Sequence, residues 1–369
     1  MNLSDFDYEL PAGSIAQRPL AERDASRMLL LDRATGVWED RQFRELPALL
    51  RGDELVVLND ARVLPARLFG HRAGLRAEPP GANNPARPEF LTSPIEVLLV
   101  RQLAPDLWEA LVRPGRKIPV GERISFGDGE LEALVEARGE FGLRVLRFTS
   151  RNGVHTASSF HEIVSRLGHI PLPPYIKRAD EPFDRERYQT VYADQGSAVA
   201  APTAGLHFTP GILELLRQRG IEIAKVTLEV GLGTFEPIRT ENLEEHKIHA
   251  ESYEISEATS EAVARAKQEH RPVLAVGTTV VRALEDAAEK SGGGSTLISA
   301  GRFEANIFLL PGKPFRVVDQ LLTNFHLPRS SLLALVAAFA GLEHTLRAYR
   351  HAVESGYRFY SYGDCMLIR

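Results

Sequence analysis

The sequence predicts an α/β protein: a large mixed α/β domain with a small β-barrel-like domain inserted into it. Three observations carry this prediction. Residues 62–151 show only short β patterns and no helical period, so they form the inserted domain. Residues 1–61 and 152–369 mix strand-like runs with amphipathic helical segments, so they form one discontinuous domain. The 369 residues are 44% hydrophobic and 25% charged, a globular composition with enough chain to bury a large core without staples.

The elements follow in order. The start, Met1-Asn-Leu-Ser-Asp-Phe-Asp-Tyr8, is acidic and lacks an apolar core, so it is not a signal peptide. Met28-Leu-Leu-Leu-Asp32 reads as an alternating strand, and Glu54-Leu-Val-Val-Leu58 as another. Barrel strands are expected at Ile95–Val100, Leu107–Leu111, Arg123–Phe126, Leu131–Val135 and Leu143–Phe148. Turn signals such as Arg113-Pro-Gly, Pro119-Val-Gly and Gly127-Asp-Gly separate them. Residues 74–94, with five Pro, two Gly and Asn83-Asn84, read as a disordered loop within that domain.

Helical spacing then begins. Thr156–Leu167 is amphipathic and stops at Gly168 before Pro171. Pro210–Arg219 has Thr209 as cap, Pro at its first turn and Gly220 after it. Ile221–Val230 is a strand, and Ser256–His270 is a helix capped by Ser256. Val273–Val276 is a short buried strand running into Gly277 and a helix over Val280–Lys290, capped by Thr278 or Thr279. Ser291-Gly-Gly-Gly-Ser295 is a flexible connector. Ser330–Ala340 and Leu342–Ser355 are helices. The apolar run Leu332–Leu342 is too short for a bilayer, which needs about 20 residues, and reads as a buried helix.

The single cysteine, Cys365, excludes an internal disulfide and a cysteine zinc cluster, and fits a reducing cytosol. The net charge of −5 argues mildly against nucleic acid as partner. Its distribution tempers this: Arg62 to Arg123 contains ten Arg/Lys against six acids, which reads either as a nucleic-acid surface or as a solvated one.

Four segments combine Gly, His, Thr and charge where core packing would not choose them. In Pro202-Thr203-Ala-Gly205-Leu-His207-Phe208-Thr209, Gly205 admits close backbone approach of a ligand. The helix start after it favours an anion, and His207 can exchange a proton near neutral pH. Glu229-Val-Gly231-Leu-Gly233-Thr234-Phe235 imitates the glycine loop of a Rossmann methyltransferase but lacks a third glycine and an immediate helix. Its Glu229 can still hold ribose hydroxyls or a cation. Gly277-Thr278-Thr279-Val-Val-Arg282 runs from strand to helix, an anion-binding arrangement in many α/β folds. Thr323-Asn324-Phe325-His326-Leu-Pro-Arg329-Ser330 leads into the apolar helix, and polar groups attached to a buried element need partners. A fifth cluster, His246-Lys-Ile-His249-Ala-Glu251, reads as an acid–base or ribose-binding group. No cysteine or second carboxylate supports a metal there.

These segments, with Asp7–Asp32 (including Gln17-Arg-Pro and Ser26-Arg-Met-Leu), Leu58-Asn-Asp-Ala-Arg-Val-Leu-Pro-Ala-Arg67 and Tyr360–Leu367, resemble the S-adenosylmethionine:tRNA ribosyltransferase-isomerases of queuosine biosynthesis over essentially the whole chain. The departure is the Pro-rich stretch 74–94, longer than the family usually has, which affects a loop. The resemblance implies a cytoplasmic monomer that uses S-adenosylmethionine as co-substrate and no metal. Its substrate would be tRNA with a GUN-type anticodon (Asp, Asn, His and Tyr acceptors) carrying 7-aminomethyl-7-deazaguanine at the wobble position. The ribosyl group would move to the aminomethyl nitrogen and isomerise to an epoxycyclopentanediol. Adenine and methionine would leave, and epoxyqueuosine would remain in the tRNA.

That chemistry requires a base, an acid and a water-poor pocket. His207, His326 and Glu251 are the expected proton-transfer groups. Glu229 would face the sulfonium or ribose, and Phe208, Phe235 and Phe325 would stack on adenine or the cation. The Gly277–Thr279 helix start, Arg282 and Arg329 would hold the methionine carboxylate or a phosphate. Thr203, Gly205, Gly231, Gly233, Thr234, His249, Asn324 and Ser330 would make the remaining substrate contacts. Arg62, Arg67, Arg113, Arg116 and Lys117 would contact tRNA phosphates. One rival is an RNA methyltransferase using the same donor, which the broken glycine fingerprint disfavours. Another is a non-catalytic RNA-binding module built on the basic segment, which leaves the Gly/His/Thr loops unexplained.

Overall fold

The computed structural model describes residues 1–75, 89–139, 142–150, 157–231, 238, 240–246, 248, 250–292 and 297–369. The chain forms two compact units, one of Met1–Arg62 with Leu172–Arg369 and one of Val63–Pro171. The first unit opens with β1 (Arg27–Leu31), β2 (Trp38–Gln42) and β3 (Leu55–Asn59). The second holds β4 (Arg67–Arg72), β5 (Pro94–Ala104), β6 (Leu107–Arg113), β7 (Arg123–Phe126), β8 (Leu131–Arg138), β9 (Leu143–Ser150) and helix α1 (Ala157–Leu167). The first unit resumes with α2 (Pro210–Gln218), β10 (Glu222–Leu228), β11 (Glu251–Ile255), α3 (Glu257–Gln268), β12 (Val273–Val276) and α4 (Thr278–Lys290). It closes with β13 (Gly301–Ala305), β14 (Gln320–Asn324), α5 (Ser331–Ala340), α6 (Leu342–Glu354) and β15 (Cys365–Ile368).

In the first unit the described residues form one nine-stranded mixed sheet, ordered β13-β11-β10-β3-β12-β14-β15-β1-β2. Its centre, β10-β3-β12-β14, is parallel. The flanking pairs β10–β11, β11–β13, β14–β15 and β1–β2 are antiparallel. Strands β3, β12 and β14 are buried at every position, because apolar layers cover both faces of a parallel sheet. β1 is buried from Met28 to Leu31, which corrects the expected alternation. Leu29 and Leu31 enter one apolar cluster, while Met28 and Leu30 enter the other. Helix α5 is buried as expected, and among the described residues no single helix is long and apolar enough to cross a membrane.

In the second unit the described strands close an antiparallel barrel, β9-β6-β5-β4-β7-β8. Alternating positions of β6 and β8 face its interior, where the Phe126 and Phe148 rings lie 6.2 Å apart. The insertion expected to end at 151 continues through α1, because Phe160 packs on the barrel. Its ring lies 5.0 Å from Phe148 and 5.6 Å from Trp108. At its start the unit excludes Arg62. Much of the Pro-rich loop, 76–88, lies outside the described residues.

The expected caps at Thr209 and Ser256 form: their hydroxyls accept the N–H groups of Ile212 and Thr259 at 3.2 Å each. The cap of α4 differs from expectation. It is Gly277, which makes no side-chain cap.

Candidate active site

The parallel strands β3, β12 and β14 end side by side, and loops beyond their carboxyl ends supply the site. In open α/β sheets this is where ligands bind. After Val276 the chain turns at Gly277, whose φ of 94° and ψ of 152° are open only to glycine. The Gly277 N–H donates to the Leu322 carbonyl at 2.8 Å, tying β12 to β14. Helix α4 then starts with N–H groups that no side chain caps. Thr278 is buried. The Thr279 hydroxyl accepts from Asn59 Nδ2 at 3.3 Å. Asn59 is itself fixed, since its Oδ1 accepts the N–H groups of Ala61 (3.1 Å) and Leu228 (3.0 Å).

These residues line a pocket of about 560 Å³, including its open mouth. Thr203 and its neighbours form one wall and Gly277–Thr279 another. Thr323–His326 form a third, and Tyr175, Tyr360 and Ser361 complete it. His326 is held firmly. Its Nε2 lies 2.9 Å from Thr323 Oγ1, its N–H donates to the Tyr349 hydroxyl at 3.2 Å, and its carbonyl accepts the Tyr8 hydroxyl at 2.5 Å. Burial pushes the imidazole down to about 3, so it is neutral at pH 7.

His207 stands behind this pocket. It lines a smaller depression with Arg23, Arg187 and Tyr362. Its Nδ1 lies 2.8 Å from Ser26 Oγ and its Nε2 3.3 Å from Asn324 Oδ1. Asn324 Nδ2 donates to the Tyr360 carbonyl at 2.8 Å, which orients the amide. The network therefore assigns the hydrogen to His207 Nε2, with Ser26 donating to Nδ1. Burial brings this ring down to about 4, so it too is neutral. The chain Ser26–His207–Asn324 thus presents a fixed carboxamide to the pocket wall.

The model of the family described as "Queuosine biosynthesis protein" matches residues 3–368. The chain belongs to this family. Relatives named S-adenosylmethionine:tRNA ribosyltransferase-isomerase cover it end to end. The one from Solibacter usitatus is 55% identical over 370 residues, and the one from Moorella thermoacetica 49% over 368, each with 100% of both chains covered. The crystal structure of an S-adenosylmethionine tRNA ribosyltransferase from Thermotoga maritima is 33% identical. That match covers 99% of this chain and 100% of the other, with a TM-score of 0.53.

Within this queuosine family member, several residues expected at the site serve elsewhere. Gly205 is a packing glycine, since a Cβ there would collide with the Tyr192 hydroxyl. Phe208 is core, its ring 5.0 Å from Phe43 and 6.1 Å from Tyr192. Glu251 and Arg282 form a buried ion pair off the pocket; Glu251 also accepts the Gly231 N–H at 3.1 Å, and Arg282 donates to the Ala305 carbonyl at 3.1 Å. Gly231 therefore lies one residue beyond the lining Val230. Glu229 faces Arg302 at 3.5 Å. Arg329 is 48% exposed and reaches Glu241 at 3.5 Å. Ser330 caps α5, accepting the Leu333 N–H at 3.2 Å. Gly233, Thr234, Phe235 and His249 lie outside the described residues. Among the described residues no cluster of three His, Cys, Asp or Glu side chains could hold a metal.

On the expected tRNA-facing set, Arg113, Arg116 and Lys117 are exposed on the barrel unit. Arg67 is instead paired with Glu96 at 3.3 Å. Arg62 is exposed on the other unit. Sequence reasoning missed Tyr175, Tyr360 and Ser361. The Tyr175 and Ser361 hydroxyls are 2.5 Å apart, and the Tyr175 and Tyr360 rings meet edge-on at 3.8 Å. The run Tyr360–Leu367 was the available signal, though it carries no chemistry of its own.

Proposed function

We propose that the protein is an S-adenosylmethionine:tRNA ribosyltransferase-isomerase. It moves the ribosyl part of S-adenosylmethionine onto 7-aminomethyl-7-deazaguanine at the tRNA wobble position and isomerises it, giving epoxyqueuosine-tRNA. The observation that carries this reading is full-length identity of 49–55% to relatives bearing that name. The pocket's makeup, an uncapped helix start facing fixed amide and imidazole groups, supports it.

In this reading the free N–H groups of α4 and the Thr278 hydroxyl hold the methionine carboxylate, where the helix dipole favours negative charge. The Tyr175 and Tyr360 rings flank the nucleoside, and Asn324, oriented by His207, hydrogen-bonds to it. His326 borders the pocket and is the imidazole placed to take part in proton transfer there. In the reaction the sulfonium acidifies the neighbouring 5′ C–H, adenine leaves, the aminomethyl nitrogen attacks, and methionine is expelled. Arg113, Arg116 and Lys117 contact tRNA phosphates. The finer expectations, a GUN-type anticodon, a monomer and a cytoplasmic location, belong to the same proposal.

Product analysis tests it. Incubation with S-adenosylmethionine and tRNA bearing the aminomethyl base should release adenine and methionine in equal amounts. S-adenosylhomocysteine as the product would instead establish a methyltransferase, and binding without turnover a non-catalytic RNA-binding protein.

A further inference from the structure

Several arginines of the barrel unit pair with carboxylates. Arg101 meets Glu109 at 2.8 Å, Arg123 meets Glu132 at 2.9 Å, Arg147 meets Asp106 at 2.8 Å, and Arg166 meets Glu130. One end of the barrel breaks this pattern. There the end of β6 and the turn Gly115–Lys117 meet a cleft lined by Arg113, Gly115, Arg116, Arg138, Gly142 and Arg144. Among the described residues no carboxylate lies within 4 Å of Arg113, Arg116, Lys117, Arg138 or Arg144.

Arg144 makes the cleft a built feature. It is 1% exposed, and its guanidinium donates to three carbonyls, of Ile118 (3.0 Å), Leu143 (2.7 Å) and Gly115 (2.6 Å). Carbonyls satisfy its hydrogens but do not cancel its charge. A buried cation with no carboxylate beside it among the described residues is costly unless something anionic completes it. Burial and the neighbouring Arg138 both disfavour its charged form, so the electrostatic demand is for an anion. The same hydrogen bonds hold the Gly115 turn in place, fixing the shape of the cleft wall beside Arg116.

We propose that this cleft is a phosphate subsite that grips one phosphodiester of the RNA substrate. The assignment rests on the tRNA-modifying function proposed above, and it adds Arg138 and Arg144 to the barrel cations that function invokes. Arginine suits the task because its planar fork binds phosphate oxygens two at a time.

The test compares wild type with Arg116→Ala, Arg138→Ala and, as control, the ion-paired Arg101→Ala. Each is titrated with full-length substrate tRNA at several salt concentrations and, separately, with inorganic phosphate. The substituted side chains lie on the surface, so the variants should fold. Expected are about fivefold weaker tRNA binding at 0.1 M salt for each cleft variant, a log K against log salt slope shallower by about 0.7–0.9, and an unchanged control. Inorganic phosphate should compete only at millimolar levels. Unaltered affinity and slope in both cleft variants would overturn the assignment. So would tight phosphate binding that leaves tRNA affinity untouched, since the cleft would then serve the free anion. Adenine release by wild type is scored alongside: its absence refutes the function, whereas release with unaffected variants refutes the cleft alone.

Discussion

His326 and His207 are both buried and both neutral at pH 7, yet they hold different places. His326 borders the pocket, while His207 reaches it only through Asn324. Replacing His326 by Ala should lower turnover about 10²–10⁴-fold with the fold intact, the range for a positioned proton-transfer group; single-turnover rates with bound donor would show it. Thr278→Val should weaken donor binding about tenfold or more by removing a hydrogen bond to a carboxylate, read by calorimetry. Glu251→Gln should lower the unfolding free energy by up to about 3 kcal/mol, because it removes a carboxylate from a buried ion pair. The site residues also mark what the sequence could disclose. Thr278, Asn324 and His326 stood out as polar groups where apolar elements begin. Gly205, Phe208 and Arg282 were misread because their partners, Tyr192, Phe43 and Glu251, are distant in sequence and nothing local names them.

Among the elements, the turn from β12 into α4 matters most. Gly277 replaces the threonine cap that the sequence suggested, and this leaves the helix N–H groups open to a ligand. Gly277→Ala should cost roughly 1–3 kcal/mol from backbone strain and weaken donor binding further than Thr278→Val does, since it re-aims the whole helix start. Calorimetric affinities of the two variants give the comparison. Long helices and the strands β3, β10 and β12 were legible because caps, Pro and apolar runs mark them, whereas the central strand β14 was not predicted. β2 escaped because Trp38-Glu-Asp-Arg-Gln42 is a polar edge strand with no fully buried position. The strand β1 was found but its alternation was not there, since sequence does not reveal that a second layer covers the other face. Helix α1 was found too, but only packing of Phe160 on the barrel ties it to that unit.

For the molecule as a whole, the two buried imidazoles set a dependence on pH. Their folded values, about 4 and about 3, lie below the unfolded value of about 6.5. Below pH 6.5 the unfolded chain therefore takes up protons that the folded chain refuses. Their contribution to stability is complete above pH 6.5 and is lost as pH falls toward the folded values, by about 4 kcal/mol at pH 5 for the pair. Urea unfolding at pH 7.5 and pH 5 checks this, and equal midpoints would contradict it. Donor cleavage is expected where β3, β12 and β14 end. A crystal structure with S-adenosylmethionine bound tests that placement most directly. The methionine carboxylate should lie about 3 Å from the first N–H groups of α4, with the nucleoside between Tyr175, Asn324 and His326. A donor seated on any other surface, with Thr278 and His326 untouched, would contradict it.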